Sequence, residues 1–232
     1  LSAHGRITYA PVATKDTVMH IGISGWHLFE PPQDETTSAT PTQTVQLRDR
    51  PEFRVDGDRL IDTGAIGGNV DEGDMVGLEL AGKIGPAWLM AEYAAVEYDI
   101  NGTNGGTFTG SPRFHGYYIS GGYFLTGESR EYQAKGGKWK GVKVKNPFTS
   151  KGGTGAWEVL ARHSTMDLNA PTSSIEGGEE QNYTLGLRWW VNNWVNFAFN
   201  YIHADVDKQT ATNSGVEEGQ AFDIFALRTA VK

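Results

Sequence analysis

The chain has 232 residues, 20 basic against 28 acidic, and a net charge of −8, which argues against general nucleic-acid binding. No apolar run approaches the roughly eighteen residues that a membrane helix needs. A mean hydropathy of −0.43 excludes a helical membrane protein but not a β-barrel, half of whose strand residues face water. Thirty Gly, seven Trp, nine Tyr and ten Phe, with no Cys, suit a barrel with aromatic girdles.

In chain order, residues 6–12 alternate weakly, with Ile7 and Tyr9 against Arg6 and Thr8, and residues 13–16 turn. Residues 17–29 predict a strand with Met19, Ile21 and Ile23 on one face and His20, Gly22 and Ser24 on the other. Residues 30–73 are rich in Pro, Thr and Asp and mostly aperiodic, which predicts a long functional or mobile loop. Alternation resumes over 74–81 and 87–98 around a turn at 82–86. A Gly/Asn/Thr loop over 99–112 precedes a strand over 115–125. Residues 126–155 carry little strand pattern and much Lys and Gly. Residues 156–165 place Trp157, Val159 and Ala161 opposite Glu158 and Arg162, and 167–181 read as a polar loop.

The clearest pattern is the hairpin over 183–203. Tyr183, Leu185, Leu187, Trp189 and Val191 share one face, and Val195, Phe197, Phe199 and Tyr201 continue it after Asn192-Asn193. Asn-Asn suits a two-residue turn with positive φ. Arms of about ten residues are long enough to cross a bilayer as tilted strands. Residues 204–219 are acidic and polar, and 221–232 form the last strand.

That makes nine strands in one domain with no linker. Alternating strands fit either a soluble β-sandwich or a membrane barrel. The connections favour the barrel: 13–16, 82–86 and 192–193 are short, whereas 30–73, 99–112, 167–181 and 204–219 are long, and outer-membrane barrels have short turns at one rim and long loops at the other. The inner connection 126–155 is the exception.

Several stretches then stand together: Gly121-Gly122-Tyr123-Phe124-Leu125-Thr126-Gly127-Glu128, Gly77-Leu78-Glu79-Leu80, Gly85-Pro86 leading to Ala91-Glu92-Tyr93, Arg50-Pro51-Glu52 with Asp62-Thr63-Gly64, Gly155-Ala156-Trp157-Glu158 through Arg162-His163-Ser164, and Thr184-Leu185-Gly186-Leu187. Taken in chain order, these stretches make the chain resemble the C-terminal part of the phosphate-selective porin O/P family. The resemblance implies an all-β, antiparallel transmembrane barrel of sixteen strands, of which about nine are here. It implies a homotrimer in the outer membrane of a Gram-negative bacterium, in contact with lipid and lipopolysaccharide. It also implies that the family's inward-folded constriction loop lies in a part absent from this chain.

No constellation argues for an enzyme: His163 and Ser164 lack a placed acid, and the six His have no metal-ligand spacing. Glu179-Glu180 and Glu217-Glu218 read as solvated loop residues. The Gly-rich runs lack a following helix and are turns, not phosphate loops. The informative charge is basic. Lys135, Lys138, Lys140, Lys143, Lys145 and Lys151 put six cations in seventeen residues with no acid among them. They suit either an anion-attracting inner mouth or a solvated turn. Parity puts Arg6, Arg162, Arg188 and Arg228 opposite the apolar face, in the lumen of a barrel. There they could bind anions in bidentate fashion or pair with lumen acids such as Glu79, Glu92 and Glu158.

The sequence thus points to an outer-membrane porin passing small anions, phosphate or polyphosphate, by electrostatically selected diffusion, with no cofactor. The alternatives are a soluble sandwich binding module and a non-conducting structural outer-membrane protein. Nine strands leave two unpaired edges, so strands are expected before Leu1. The family resemblance, with the shared parity of Phe225, Leu227 and Val231, implies an aromatic residue after Lys232.

Overall fold

The computed structural model describes residues 1–31, 33–34, 42–53, 55, 57, 59–66, 70–100, 110–149, 151–208 and 219–231. Its strands are β1 (Ser2–Ala13), β2 (Thr17–Leu28), β3 (Gln33–Asp34), β4 (Thr42–Gln43), β5 (Arg48–Asp49), β6 (Ile61–Asp62), β7 (Val70–Ile84), β8 (Ala87–Ile100), β9 (Arg113–Phe124), β10 (Arg130–Gln133), β11 (Lys138–Val142), β12 (Ala156–Ala170), β13 (Ile175–Trp190), β14 (Val195–Asp207) and β15 (Gln220–Val231). Nine of them form one antiparallel sheet in the order β1-β2-β7-β8-β9-β12-β13-β14-β15. The pairs β3–β4, β5–β6 and β10–β11 form three small two-stranded sheets inside the connections.

The turns at one rim are tight for local reasons. Thr14 Oγ1 accepts the Thr17 N–H at 2.9 Å, and Gly85, at φ +54, closes the β7–β8 turn. The β13–β14 turn is wider than the predicted two residues. Asn192 Oδ1 accepts the N–H groups of Trp194 and Val195 at 2.8 and 2.9 Å, so a side chain replaces the positive φ expected of Asn-Asn.

A second difference lies at residues 167–181. The predicted polar loop is instead the far end of a long hairpin. β12 runs to Ala170, a 3₁₀ turn spans Pro171–Ser173, and Ser174 at φ +56 starts the return along β13. The reason is packing at a distance. Leu168, Ala170 and Ile175 are buried against Ile61, Ile66 and Val206, a cluster that periodicity within 167–181 does not show. Glu180, expected in solvent, is buried on this inward face. Glu217, Glu218, Lys232 and most of the predicted loops 99–112 and 204–219 lie outside the described residues.

One face of the large sheet is apolar and uncovered. Leu185 is 60% exposed, Leu187 40% and Phe199 47%. Trp157, Trp189 and Phe197 stack on one another beside them. Among the described residues no second sheet covers this face, so the sandwich alternative does not hold. The described residues of both long connections, 30–69 and 126–155, pack on the opposite face, and both buried apolar clusters lie there.

The apolar band also runs obliquely to the hydrogen-bond rows. On β2 to β9 its outer limit is the row His27–Asp74–Glu97–Arg113. On β14 and β15 it is already reached at His203–Asp223, in the row that is apolar at Ile21, Leu80, Ala91 and Ile119. The limit therefore falls three outward positions, six residues, over the seven strand-to-strand steps from β2 to β15. At about 3.4 Å per residue and 4.8 Å per strand, a level band requires a strand tilt of roughly 30°. That is close to the tilt of transmembrane barrels, about 35–45°.

Candidate functional site

The strand register sets the inward face. Glu79, Glu92, Tyr118, Ser164 and Asn182 face one another in one row across five strands. Arg6 reaches into this row from β1 and donates through Nε and Nη2 to the two Glu79 oxygens, at 2.5 and 2.6 Å. Tyr118 donates its hydroxyl to Glu92 at 2.7 Å, and the Arg162 guanidinium lies 3.8 Å over the Tyr118 ring. Glu79, Glu92, Tyr118, Arg162, Ser164 and Asn182, together with Arg50 and Glu52, line a cavity of about 620 Å³.

The outer connection supplies the roof of that cavity. Its base is held by backbone bonds between Val45 and Ile66 and between Leu47 and Thr63. Ile61 and Ile66, fully buried, pin it to the wall. Its tip carries Glu52, which accepts from Arg162 Nε, from Ser164 Oγ at 2.6 Å and from Thr184 Oγ1 at 2.8 Å. The outer connection is thus an inward-folded loop of this chain. The same loop carries Arg48, Arg50 and Arg59. Desolvation, and then the guanidiniums of Arg48 and Arg50, hold Arg59 below the usual arginine value. Among the described residues no carboxylate pairs with any of the three.

The inner connection folds in from the opposite rim. Its hub is Glu158, wholly buried, which accepts from Trp88 Nε1 at 2.8 Å, Trp190 Nε1 at 3.1 Å and Arg130 Nη2 at 3.1 Å. Arg130 also stacks 3.6 Å above Trp88. Burial holds its guanidinium below the usual value, against the pull of Glu158. Lys83 spends all three ammonium protons on Lys15 O, Ser129 Oγ and Arg130 O. The β10–β11 hairpin then crosses to β1 and β2. There Tyr132 shares a 2.8 Å hydrogen bond with His20 Nδ1, and Gly137 fits so closely that a Cβ would stand 2.6 Å from Thr8 Oγ1.

Three of the predicted arginines therefore face inward beside carboxylates: Arg6 on Glu79, Arg162 on Glu52, and Arg188 at 4.0 Å from Glu158. Arg228 is placed on the same face by its pairing with Ala198 and stands apart from the other three. Lys135, Lys138, Lys140, Lys143 and Lys145 are all exposed on the inner connection rather than on the wall. Sequence reasoning missed Glu52, Arg48, Arg50, Arg59, Arg130, Lys83 and Tyr118 as site residues. A signal for the loop was present: Arg48, Arg50, Arg54 and Arg59 fall within twelve residues of an otherwise aperiodic stretch.

A tilted antiparallel wall, apolar outside and charged within, with connections folded over the charged face, is the wall of an outer-membrane β-barrel. A family model described as phosphate-selective porin O and P matches residues 2–231, and the chain belongs to that family, whose members are outer-membrane proteins of Gram-negative bacteria. The chain is 33% identical over 164 residues to Porin O of Pseudomonas aeruginosa, covering 67% of this chain and 35% of that protein. It is 29% identical over 219 residues to an uncharacterised protein of Caulobacter vibrioides, covering 91% and 38%. The chain thus spans little more than a third of the length of either relative.

Proposed function

We propose that this chain, as one barrel domain, forms part of the wall of an outer-membrane pore that passes small anions, phosphate or polyphosphate among them, by diffusion. The outer loop 30–73 narrows the lumen and the Lys-rich inner connection 126–155 forms its inner mouth. A homotrimer embedded in outer-membrane lipid and lipopolysaccharide is the assembly this reading carries.

The observation that supports it is the placement of cations over the charged face that have no carboxylate partner among the described residues. Arg48, Arg50 and Arg59 stand on the outer loop and the lysines on the inner connection, in a chain whose net charge is −8. A basic path lowers the barrier for anions, and several weak sites in series keep release fast. The family is one of channels rather than enzymes, and no catalytic role is assigned to any residue.

The test is replacement of Lys135, Lys138, Lys140, Lys143, Lys145 and Lys151 by Gln in the pore-forming protein. The reversal potential in a salt gradient should shift toward cations at low salt, and the shift should shrink as the Debye length falls. An unchanged potential at low salt returns the lysines to solvated surface. A second reading, a structural outer-membrane protein that does not conduct, draws on the pairing of Arg6, Arg162 and Arg188 with Glu79, Glu52 and Glu158, which braces the wall. Single-channel recording separates the two.

A further inference from the structure

We propose that Glu52 is a positioning residue that sets both the bore and the charge of the pore, clamping the tip of the outer loop to the wall while neutralising Arg162. The proposal rests on the porin reading.

The clamp is specific in its geometry. Arg162 and Ser164 are two residues apart on β12, and Thr184 is the direct β13 partner of Arg162. The three donors therefore form one inward patch two strands wide, and one carboxylate meets all of them. A carboxylate is acceptor-only and has room for these three bonds. Glu52 itself sits at φ +52, one of two non-glycine residues with positive φ among those described. A non-glycine residue keeps that conformation where its surroundings over-determine it, and such positions cluster at ligand clamps and switches. Pro51, buried, precedes it, and the Glu52 N–H bonds to Arg50 O at 2.7 Å.

The clamp acts on the tip alone. The base of the loop is held independently by the Val45–Ile66 and Leu47–Thr63 bonds and by Ile61 and Ile66. Releasing Glu52 therefore frees the stretch that carries Arg50 beside the cavity without unseating the rest. Charge follows a separate rule. Arg162 stands beside Glu92 and Tyr118 on the wall of the 620 Å³ cavity, and its other neighbour there is Glu52. With Glu52 ionised the pair adds no net charge to the cavity, whereas without it one guanidinium faces the lumen.

The two effects separate in three variants of the pore-forming protein, recorded in planar bilayers. Glu52→Gln keeps one oxygen to accept from one of the Ser164 and Thr184 hydroxyls and an NH2 to donate to the other, but drops the charge. The anion-to-cation permeability ratio should rise about tenfold at low salt, because one unit charge some 6 Å from the path in water favours the anion about threefold and disfavours the cation about threefold, and the effect should fade toward about 1 M salt. Glu52→Ala releases the tip, so single-channel conductance should rise and stay raised at high salt. Arg162→Gln leaves the carboxylate alone and should move selectivity toward cations. The double variant Glu52→Gln, Arg162→Gln should return to the wild-type ratio, which a merely structural role for Glu52 would not produce. Heat-modifiable gel mobility shows that each barrel is folded. Folded Glu52 variants with wild-type conductance and reversal potential overturn the proposal. A folded wild-type protein that passes no current overturns the porin reading instead.

Discussion

The two connections that fold onto the charged face are held in opposite ways. The outer one hangs on a carboxylate at its tip, Glu52, whose side chain and that of Arg162 keep 18% and 31% of their exposure, and on an apolar seam at its base. The inner one is built around a carboxylate with no exposure at all, Glu158, and an ammonium, Lys83, with every proton used. A hydrated ion pair is cheap to break and re-form, whereas a buried one leaves an uncompensated charge when broken. The cations follow the same division. The inner connection turns its anchoring charges inward and leaves its lysines exposed. The outer one uses Glu52 to cover one wall arginine while presenting three of its own. The inner connection is thus fixed architecture, and the outer tip is the part whose position can change.

Breaking the inner anchor should have the largest effect. Glu158→Ala strands the Arg130 guanidinium and two indole N–H groups in a buried site. Removing one partner of a buried ion pair costs about 3–5 kcal/mol. The denaturation midpoint in detergent should fall accordingly, and folding yield with it. A midpoint within error of wild type would mean that the inner connection does not support the wall.

The apolar seam of the outer loop comes next. Ile61 is fully buried among Leu168, Ile175 and Val206, and an Ile→Ala change at such a site costs about 2–5 kcal/mol. The strands of the large sheet keep their own ladder, so the loss should fall on the loop. Amide exchange at Thr63 and Ile66, whose N–H groups bond to Leu47 O and Val45 O, should speed up by at least about thirtyfold, the factor that 2 kcal/mol implies. Amides of β7 and β8 should be unaffected. Equal acceleration throughout would show that the loop and wall unfold as one unit and would erase the contrast drawn here.

How much of this was legible in the sequence follows the range of each interaction. Strands whose faces are set by their neighbours were read from period two alone, and the apolar face of β13 and β14 is where alternation put it. Parity also put Arg6 and Arg188 on the same face as Glu79 and Glu158, and the structure pairs them, because all four sit on strands with the same inward rule. It could not find Glu52 for Arg162, because Glu52 comes from an aperiodic loop 110 residues earlier. The ends of β12 and β13 failed for the same reason. Gly177, Gly178 and Glu180 read as solvent-facing in a polar stretch, yet are buried where the loop that carries Ile61 and Ile66 packs on the wall. The family resemblance helped with the fold but did not place this loop over the charged face.

The smallest expected effect sharpens the contrast most, because it asks whether the inner hairpin is fixed at its tip as well as at its base. Tyr132 and His20 share one hydrogen bond, and His20 Nε2 lies 3.3 Å from the Glu79 carboxylate that also receives Arg6. A carboxylate only accepts, so Nε2 carries the proton, and in the neutral ring Nδ1 accepts from the Tyr132 hydroxyl. Tyr132→Phe keeps the ring, its edge contact with His20 and its packing on Trp139, but leaves Nδ1 of a residue only 2% exposed without a donor. Such an orphaned group costs about 1–3 kcal/mol. Glu158 and Lys83 still hold the base, so the denaturation midpoint should scarcely move. Exchange of the β10–β11 amides should rise by about five- to a hundredfold, with the His20 imidazole resonances shifting by NMR. If those amides keep wild-type protection, the tip is held by Gly137 against Thr8 and by ring packing, and the Arg6–Glu79–His20–Tyr132 chain is not what docks it.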